Sequence, residues 1–240
     1  MKKFTKMWAI AACALFAGTA AVNAEDYTWK FVTAGDATTY AIRSDGSLWS
    51  WGWNEKGQGG NGVSERTATP TLADGNRVWK KAVGGKAYGF FLAEDGSLWA
   101  AGTHEGGVQG TNDGIDHKVL TRIGTDNDWA DMACSRFWGY SGFAIKTNGT
   151  LWAWGKNSAG QLGIGNTQAQ TAPVQVGADM DWKQVAAGCS SVLALKTDGS
   201  LWGWGFNMYS ELFGHEGKQL SPVRLGSETD WEQVVVIDFR

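Results

Sequence analysis

Short runs of alternating apolar and small or polar residues recur along the chain, each broken at the same kind of turn. Tyr40-Ala41-Ile42, Phe90-Phe91-Leu92, Phe143-Ala144-Ile145 and Leu193-Ala194-Leu195 each run on to an Asp-Gly or Asn-Gly pair, and Leu-Trp follows soon after. A period of two is that of a β-strand, and Asp-Gly or Asn-Gly between two such runs is a strong hairpin signal. The pentapeptide Asp-Gly-Ser-Leu-Trp occupies Asp45 to Trp49, Asp95 to Trp99 and Asp198 to Trp202. Asn148-Gly149-Thr150-Leu151-Trp152 is a fourth copy, and the copies begin 50, 53 and 50 residues apart. A fixed period of this length predicts an array of like units.

Each unit has three parts. A Trp opens a strand (Trp29, Trp79, Trp129, Trp182 and, for a fifth start, Trp231), the hairpin follows, and a Gly-rich loop leads to a short last strand. Pro70, Pro173 and Pro222 fall at one equivalent position in that last strand. Proline cannot donate to a ladder, so it marks an outer edge. A two-residue turn sets Ile42 opposite Trp49, Leu92 opposite Trp99, Ile145 opposite Trp152 and Leu195 opposite Trp202, with the bulky residues on one face. The other face, with Leu48, Ala41, Ala144 and Ala194, is mostly small and apolar. Neither face is polar, so both need cover, and like sheets stacked face to face supply it. The expectation is an all-β chain: a β-propeller of about four blades, each of roughly 50 residues. The units run over 29–78, 79–128, 129–181 and 182–230, with a closing strand at 231–240. Three closures are open to such a chain: a four-bladed ring, an open arc, or a ring completed by a second copy as a homo-oligomer.

The first 24 residues stand apart. Lys2, Lys3 and Lys6 precede an apolar, alanine-rich run, and Val22-Asn23-Ala24 offers small residues for cleavage. This is the layout of a bacterial signal peptide, so residues 25–240 are expected as one propeller domain, secreted or periplasmic, with no stable membrane insertion. Removing the signal leaves 18 of the 21 basic residues against 24 acidic ones. No basic run remains, which speaks against nucleic acid as a partner. Cys134 and Cys189 are the cysteines left, and the pattern leaves their pairing open.

Ala187-Gly188-Cys189-Ser190-Ser191-Val192-Leu193-Ala194-Leu195 with Leu201-Trp202-Gly203-Trp204-Gly205 resembles the regulator of chromosome condensation repeat. So does Trp154-Gly155-Lys156-Asn157-Ser158-Ala159-Gly160-Gln161-Leu162-Gly163. The resemblance covers nearly all of residues 25–240 and implies the propeller, not a function. Members of the family usually close seven blades, and this chain has four full units. The Gly-Trp-Arg-His-Thr signature of the family's plant ultraviolet-B photoreceptor is absent. A secreted bacterial β-lactamase inhibitor of the same repeat type is purely a binder, which implies that an exported propeller of this kind can work by binding alone.

Candidate chemistry follows by subtraction. Of the 15 tryptophans, twelve are repeat positions and Trp8 lies in the signal, which leaves Trp53 and Trp138. Trp138 lies in the insertion that lengthens the third unit, within Arg136-Phe137-Trp138-Gly139-Tyr140. Aromatic residues beside an arginine are favoured binding anchors. The second unit is irregular: it has Ala101 where the others have Trp, and His104 where they have Asn. Its His104, Glu105, Asp113, Asp116 and His117, and also His215 with Glu211 and Glu216, fit neither a calcium loop nor a zinc spacing. No nucleophile motif, phosphate loop or dinucleotide fingerprint occurs. The sequence therefore predicts a non-enzymatic binder without cofactor. Its partner is another protein or, as the alternative, a glycan of the cell envelope, and its binding residues are Trp138, Arg136, Phe137, Tyr140, Trp53 and His104.

Overall fold

A computed structural model describes residues 28–207, 212 and 217–236. The expected signal peptide, the cluster around His215 and the last residues of the expected closing strand lie outside the described residues. The chain forms four antiparallel four-stranded meanders in sequence order. The first holds β1 (Trp29–Ala34), β2 (Thr38–Arg43), β3 (Leu48–Gly52) and β4 (Thr67–Asp74), and the second β5 (Trp79–Gly84), β6 (Tyr88–Ala93), β7 (Leu98–Gly102) and β8 (His117–Arg122). The third holds β9 (Trp129–Cys134), β10 (Ser141–Lys146), β11 (Leu151–Gly155) and β12 (Gln170–Gln175). The fourth holds β13 (Trp182–Ala187), β14 (Ser191–Lys196), β15 (Leu201–Asn207) and β16 (Gly217–Arg224). The opening strands β1, β5, β9 and β13 all contribute to one axial cleft. The proline-bearing strands β4, β12 and β16 are outer edges, as expected.

The hairpin register corrects the sequence reading by one residue. Ile42 pairs with Leu48 and Ala41 with Trp49, and the other blades repeat this with Leu92 and Leu98, Ile145 and Leu151, Leu195 and Leu201. The loop is longer than the two residues assumed. Gly46 N–H donates to the Arg43 carbonyl at 2.9 Å, Arg43 N–H donates to the Ser47 carbonyl at 3.0 Å, and Gly46 sits at φ +86°. That is a type I turn closed by a left-handed glycine, the three-residue hairpin, in which the extra residue moves Trp49 to the other face. Bulky side chains therefore line both faces instead of one.

The structure explains every residue of the pentapeptide. Asp45 Oδ1 accepts from the Ser47 amide at 2.9 Å and from its hydroxyl at 2.7 Å, and Ser47 Oγ accepts from Trp49 Nε1 at 2.8 Å. Asp95, Ser97 and Trp99 repeat the relay, as do Asp198, Ser200 and Trp202. Asn148 and Thr150 supply the same acceptors to Trp152.

Blades join in one recurring way. One face of each sheet packs on the opposite face of the next, giving three cores: Tyr40, Ile42 and Leu48 against Trp79, Ala82 and Phe91; Phe90, Leu92 and Leu98 against Trp129, Met132 and Trp154; Phe143, Ile145 and Leu151 against Trp182, Val185 and Trp204. The indole of each later blade reaches into the loop of the earlier one. Trp154 Nε1 donates to the Val108 carbonyl at 2.8 Å and Trp204 Nε1 to the Gln161 carbonyl at 2.9 Å. Gly110 and Gly163 lie flat on these rings, where a Cβ would come within 2.9 and 2.7 Å of the indole. At the first joint Ala101 replaces the Trp. Leu120 takes up the space beside Gly60, and the equivalent carbonyl, of Gln58, accepts the Tyr40 hydroxyl at 3.0 Å.

No core cluster among the described residues joins the fourth blade to the first, so the four blades form an arc. Where a closing strand was expected, residues 231–236 carry no ladder. They are clasped by one side chain: Gln184 Nε2 donates to the Val234 carbonyl at 3.1 Å, and Val234 N–H donates to Gln184 Oε1 at 3.0 Å. Val234 closes the apolar face of Leu195, Leu201 and Leu225.

Two predictions follow from the relay. Asp95→Ala removes the acceptor of two donors and is expected to destabilise the chain by about 1 kcal/mol. Asp95→Asn, the third blade's own arrangement, should cost less; denaturant unfolding at neutral pH measures both, and equal stability of the Ala variant and the native chain would refute the relay. The Ser97 hydroxyl and amide hold the Asp95 carboxyl below its usual range. Its contribution is thus present above the unfolded value, about 4, and is lost as pH falls through the lower folded value. The stability gap between the native chain and Asp95→Asn should close over that acid window.

Candidate binding face

Strand direction places all the irregular loops at one end of the arc. The links from first to second strand (residues 35–37, 85–87, 135–140 and 188–190) and those from third to fourth (53–66, 103–116 and 156–169) share this end, opposite the hairpins. One backbone bond per blade ties the two sets together: Trp53 N–H to the Ala37 carbonyl, Thr103 to Ala87, Lys156 to Tyr140 and Phe206 to Ser190, at 2.8–2.9 Å. All six residues expected to bind, Trp53, His104, Arg136, Phe137, Trp138 and Tyr140, lie at this end.

The third-blade insertion builds a rigid knuckle. Phe137 and Tyr140 take φ of +49° and +46°, a left-handed conformation that costs a side-chain-bearing residue about 1–2 kcal/mol. The knuckle is held in place despite this. Gly139 N–H closes a turn to the Arg136 carbonyl at 3.1 Å, and the Ser141 hydroxyl bridges the Gly139 and Lys156 carbonyls at 3.0 and 2.8 Å. A Cβ on Gly139 would strike the Ser135 side chain and the Cys189 carbonyl. Tyr140 is buried against Tyr88, with ring centroids 5.9 Å apart, and Tyr88 donates its hydroxyl to the Ser135 carbonyl at 2.6 Å. Burial, and then the nearby Glu105 carboxylate, push the Tyr140 phenol up to about 12.

Trp138 stands on this knuckle, 59% exposed. Lys86 reaches over from the second blade and sets its ammonium 2.8 Å from the centroid of the indole, while Tyr140 flanks it edge-on at 6.4 Å. Arg136 is exposed beside it and also lines the axial cleft. Phe137 is half-buried, and Trp53 is half-buried in the first blade, where the Thr38 hydroxyl donates to its carbonyl at 2.6 Å. The structure thus joins Trp138, Tyr140 and the neighbourhood of His104 through Glu105, while Trp53 sits in the first blade. Sequence reasoning missed Lys86, and it weighed Glu105 only as part of a metal cluster and not as a partner of Tyr140. Lys86 follows the repeat glycine Gly85, where the other blades carry Asp36, Arg136 and Cys189, and that variation is the one available signal.

His104 has a structural partner. In the first and third blades Asn54 and Asn157 fasten the long loop, each accepting a backbone N–H (Gly59, Leu162) and donating to carbonyls across the loop (Val63; Asn166 and Gln168). In the second blade His104 takes this place. Asp116 instead comes back from the loop's far end to accept the His104 amide at 2.9 Å and pair with its Nδ1 at 2.7 Å. Asp113 pairs with His117 Nε2 at 2.8 Å. The two carboxylates are spent on separate imidazoles, and no group of three or more metal-ligating side chains gathers among the described residues. No disulfide joins Cys134 to Cys189, and burial pushes Cys134 up to about 12, far from a thiolate. Among the described residues no helix is long and apolar enough to cross a membrane.

This geometry is shared with known proteins. The regulator of chromosome condensation (RCC1) repeat matches residues 45–92 and 148–195, and a second model of the repeat matches 29–58. Both longer matches begin at the relay residue, Asp45 or Asn148. The ultraviolet-B receptor UVR8 of Arabidopsis thaliana is 30% identical over 163 residues, which are 67% of this chain and 37% of that protein. Human protein RCC2 is 27% identical over 150 residues, 61% of this chain and 19% of that protein. Among solved structures, human WBSCR16 has a TM-score of 0.73 at 21% identity, over 86% of this chain and 55% of that one. Yeast RCC1 (Prp20), solved bound to Kap60, has a TM-score of 0.73 at 22% identity, over 86% and 50%. The chain spans little more than a third, or less, of the length of these curated relatives, and about half of these solved chains. A pentapeptide relay in each blade, an indole keyed into the preceding Gly-rich loop and the matched repeats lead to one conclusion: the chain belongs to the regulator of chromosome condensation repeat family, folded as an all-β array of four propeller blades.

Proposed function

We propose that this chain is an exported protein-binding module that recognises its partner with the loop end of the arc, centred on Trp138. The observation that carries the reading is an indole 59% exposed on a knuckle whose backbone is fixed in a costly conformation. A large side chain pre-set at the surface loses little freedom on binding, which is why Trp, Tyr and Arg dominate interface hot spots. Lys86 and Arg136 flank the indole, so an acidic or carbonyl-rich patch on the partner suits it. Similar propellers also support binding: Prp20 was solved with Kap60, and its binding to Gsp1p and histones has been studied. Export rests on residues 1–24 of the sequence. The reading assigns no catalytic step.

The test is capture from a cell-envelope extract by the purified chain, with Trp138→Ala and Lys86→Ala in parallel and a glycan array beside it. A protein partner is expected whose affinity falls by about 2 kcal/mol, roughly thirtyfold, in the Trp138 variant. Equal capture by that variant would remove Trp138 from the interface. Glycan binding without a protein partner would replace the reading by the carbohydrate-binding one.

A further inference from the structure

The innermost strand of every blade ends in a small side chain. Five residues after each opening Trp stand Ala34, Gly84, Cys134 and Ala187. All four line the axial cleft. Small groups where four strands converge leave room between them, and the cleft holds about 160 Å³. Deeper in, Val83, Met132 and Val185 make its walls apolar, and no carboxylate is among the described residues that line it.

Two cations reach this cleft, and they differ. Lys81 is spent within the fold: its ammonium pairs with Asp131 at 2.5 Å and donates to the Met132 carbonyl at 2.9 Å. Arg136 is not. Its guanidinium has no hydrogen bond or ion pair among the described residues. Its backbone is fixed, since its carbonyl accepts the Gly139 amide at 3.1 Å in the knuckle, and its side chain lies where the cleft meets the loop end. Elsewhere this chain pairs its cations: Lys146 and Lys196 each bridge two aspartates, and Arg77 holds Asp74. A guanidinium left over at the rim of an apolar cleft is complementary to a carboxylate joined to a short apolar group. Phosphate suits the place less well, because a dianion would meet one free cation and apolar walls.

We infer that the axial cleft takes the C-terminal residue of the partner protein, with its α-carboxylate on Arg136 and a last side chain of valine size against Val83, Met132 and Val185. The volume decides for a chain end over an internal acidic residue. At about 30 Å³ for each water, the cleft equals about five waters. That is room for one small side chain with its carboxylate, and too little for the two backbone arms that flank an internal Asp or Glu. The guanidinium donates as a fork to both carboxylate oxygens. A carboxamide offers an N–H to one prong of that fork and is rejected. The inference rests on the reading that the loop end binds a protein, and it names the part of that protein that is read.

The experiment is a fluorescence-polarisation titration of the purified chain with the pentapeptide Ser-Gly-Ser-Gly-Val, labelled at its N-terminus, as the free acid and as the C-terminal amide. The free acid is expected to bind. Amidation and Arg136→Gln should each weaken it by roughly tenfold or more. Ala34→Phe, at an exposed position, should block the cleft with the circular dichroism unchanged. Isovalerate, which keeps the branched chain and the carboxylate without a peptide, is the competitor. Equal binding of acid and amide overturns the inference, and so does undiminished binding by both variants. Binding of neither peptide overturns it too, the result expected if the chain's own C-terminal residues fill the cleft. Isovalerate binding as tightly as the peptide would make the ligand a small free acid instead. Capture of an envelope protein through Trp138 succeeds or fails independently of these titrations, so the two readings fall separately.

Discussion

A four-stranded sheet with bulky side chains on both faces cannot remain in water on either side, and this constraint organises the whole structure. Burying one face of each blade against the opposite face of the next answers it three times over, and two of the three answers are keyed by an indole in the later blade reaching a loop carbonyl in the earlier one. The hydrophobic term is non-directional; the N–H to carbonyl bond and the bare glycine beneath the ring give it an address. Where the indole is missing, at Ala101, neither the space nor the carbonyl is left over. Leu120 and the Tyr40 hydroxyl take them up separately, from two different strands.

The same economy governs the hairpins. One carboxylate or amide orients a hydroxyl, and the hydroxyl holds the Trp ring against its own strand, so a turn at the surface sets the position of a side chain in the joint. Lys146 and Lys196 add a second layer, each over the rings of an opening and a hairpin Trp and each bridged to two aspartates. The second blade has Ala93 at that place, and Arg77 comes from the preceding link to lie 4.0 Å from the Trp99 ring centroid while pairing with Asp74. The repeat conserves contacts more strictly than it conserves the residues that make them.

That distinction sets what the sequence could reveal. Period, blade number and the edge prolines were legible because they depend on residue type at fixed spacing. The face assignment was not, because Asp-Gly serves two hairpin lengths. The serine that follows, whose amide and hydroxyl both turn back to Asp45, was the sign of the longer one. At the loop end, Trp138 could be found as a break in the pattern. Lys86 reaches it, and Glu105 reaches its neighbour Tyr140, across a blade boundary, and such a meeting has no local signature. His104 pointed to chemistry by its rarity, and its partner Asp116 shows that it secures a loop.

Because the core clusters of the described residues join each blade to the next, strain applied to the chain is carried largely through the joints. Two of the three joints are latched by an indole buried in the adjoining loop. The first is filled by a leucine and a small alanine, and the hydroxyl that satisfies its loop carbonyl comes from the same blade as that carbonyl. The first joint relies instead on strand-like backbone bonds at its rim, Gly62 N–H to the Lys118 carbonyl at 2.8 Å and Asp36 N–H to the Gly85 carbonyl at 3.2 Å, so its hold is spread along the edges of the blades and not set in one buried latch.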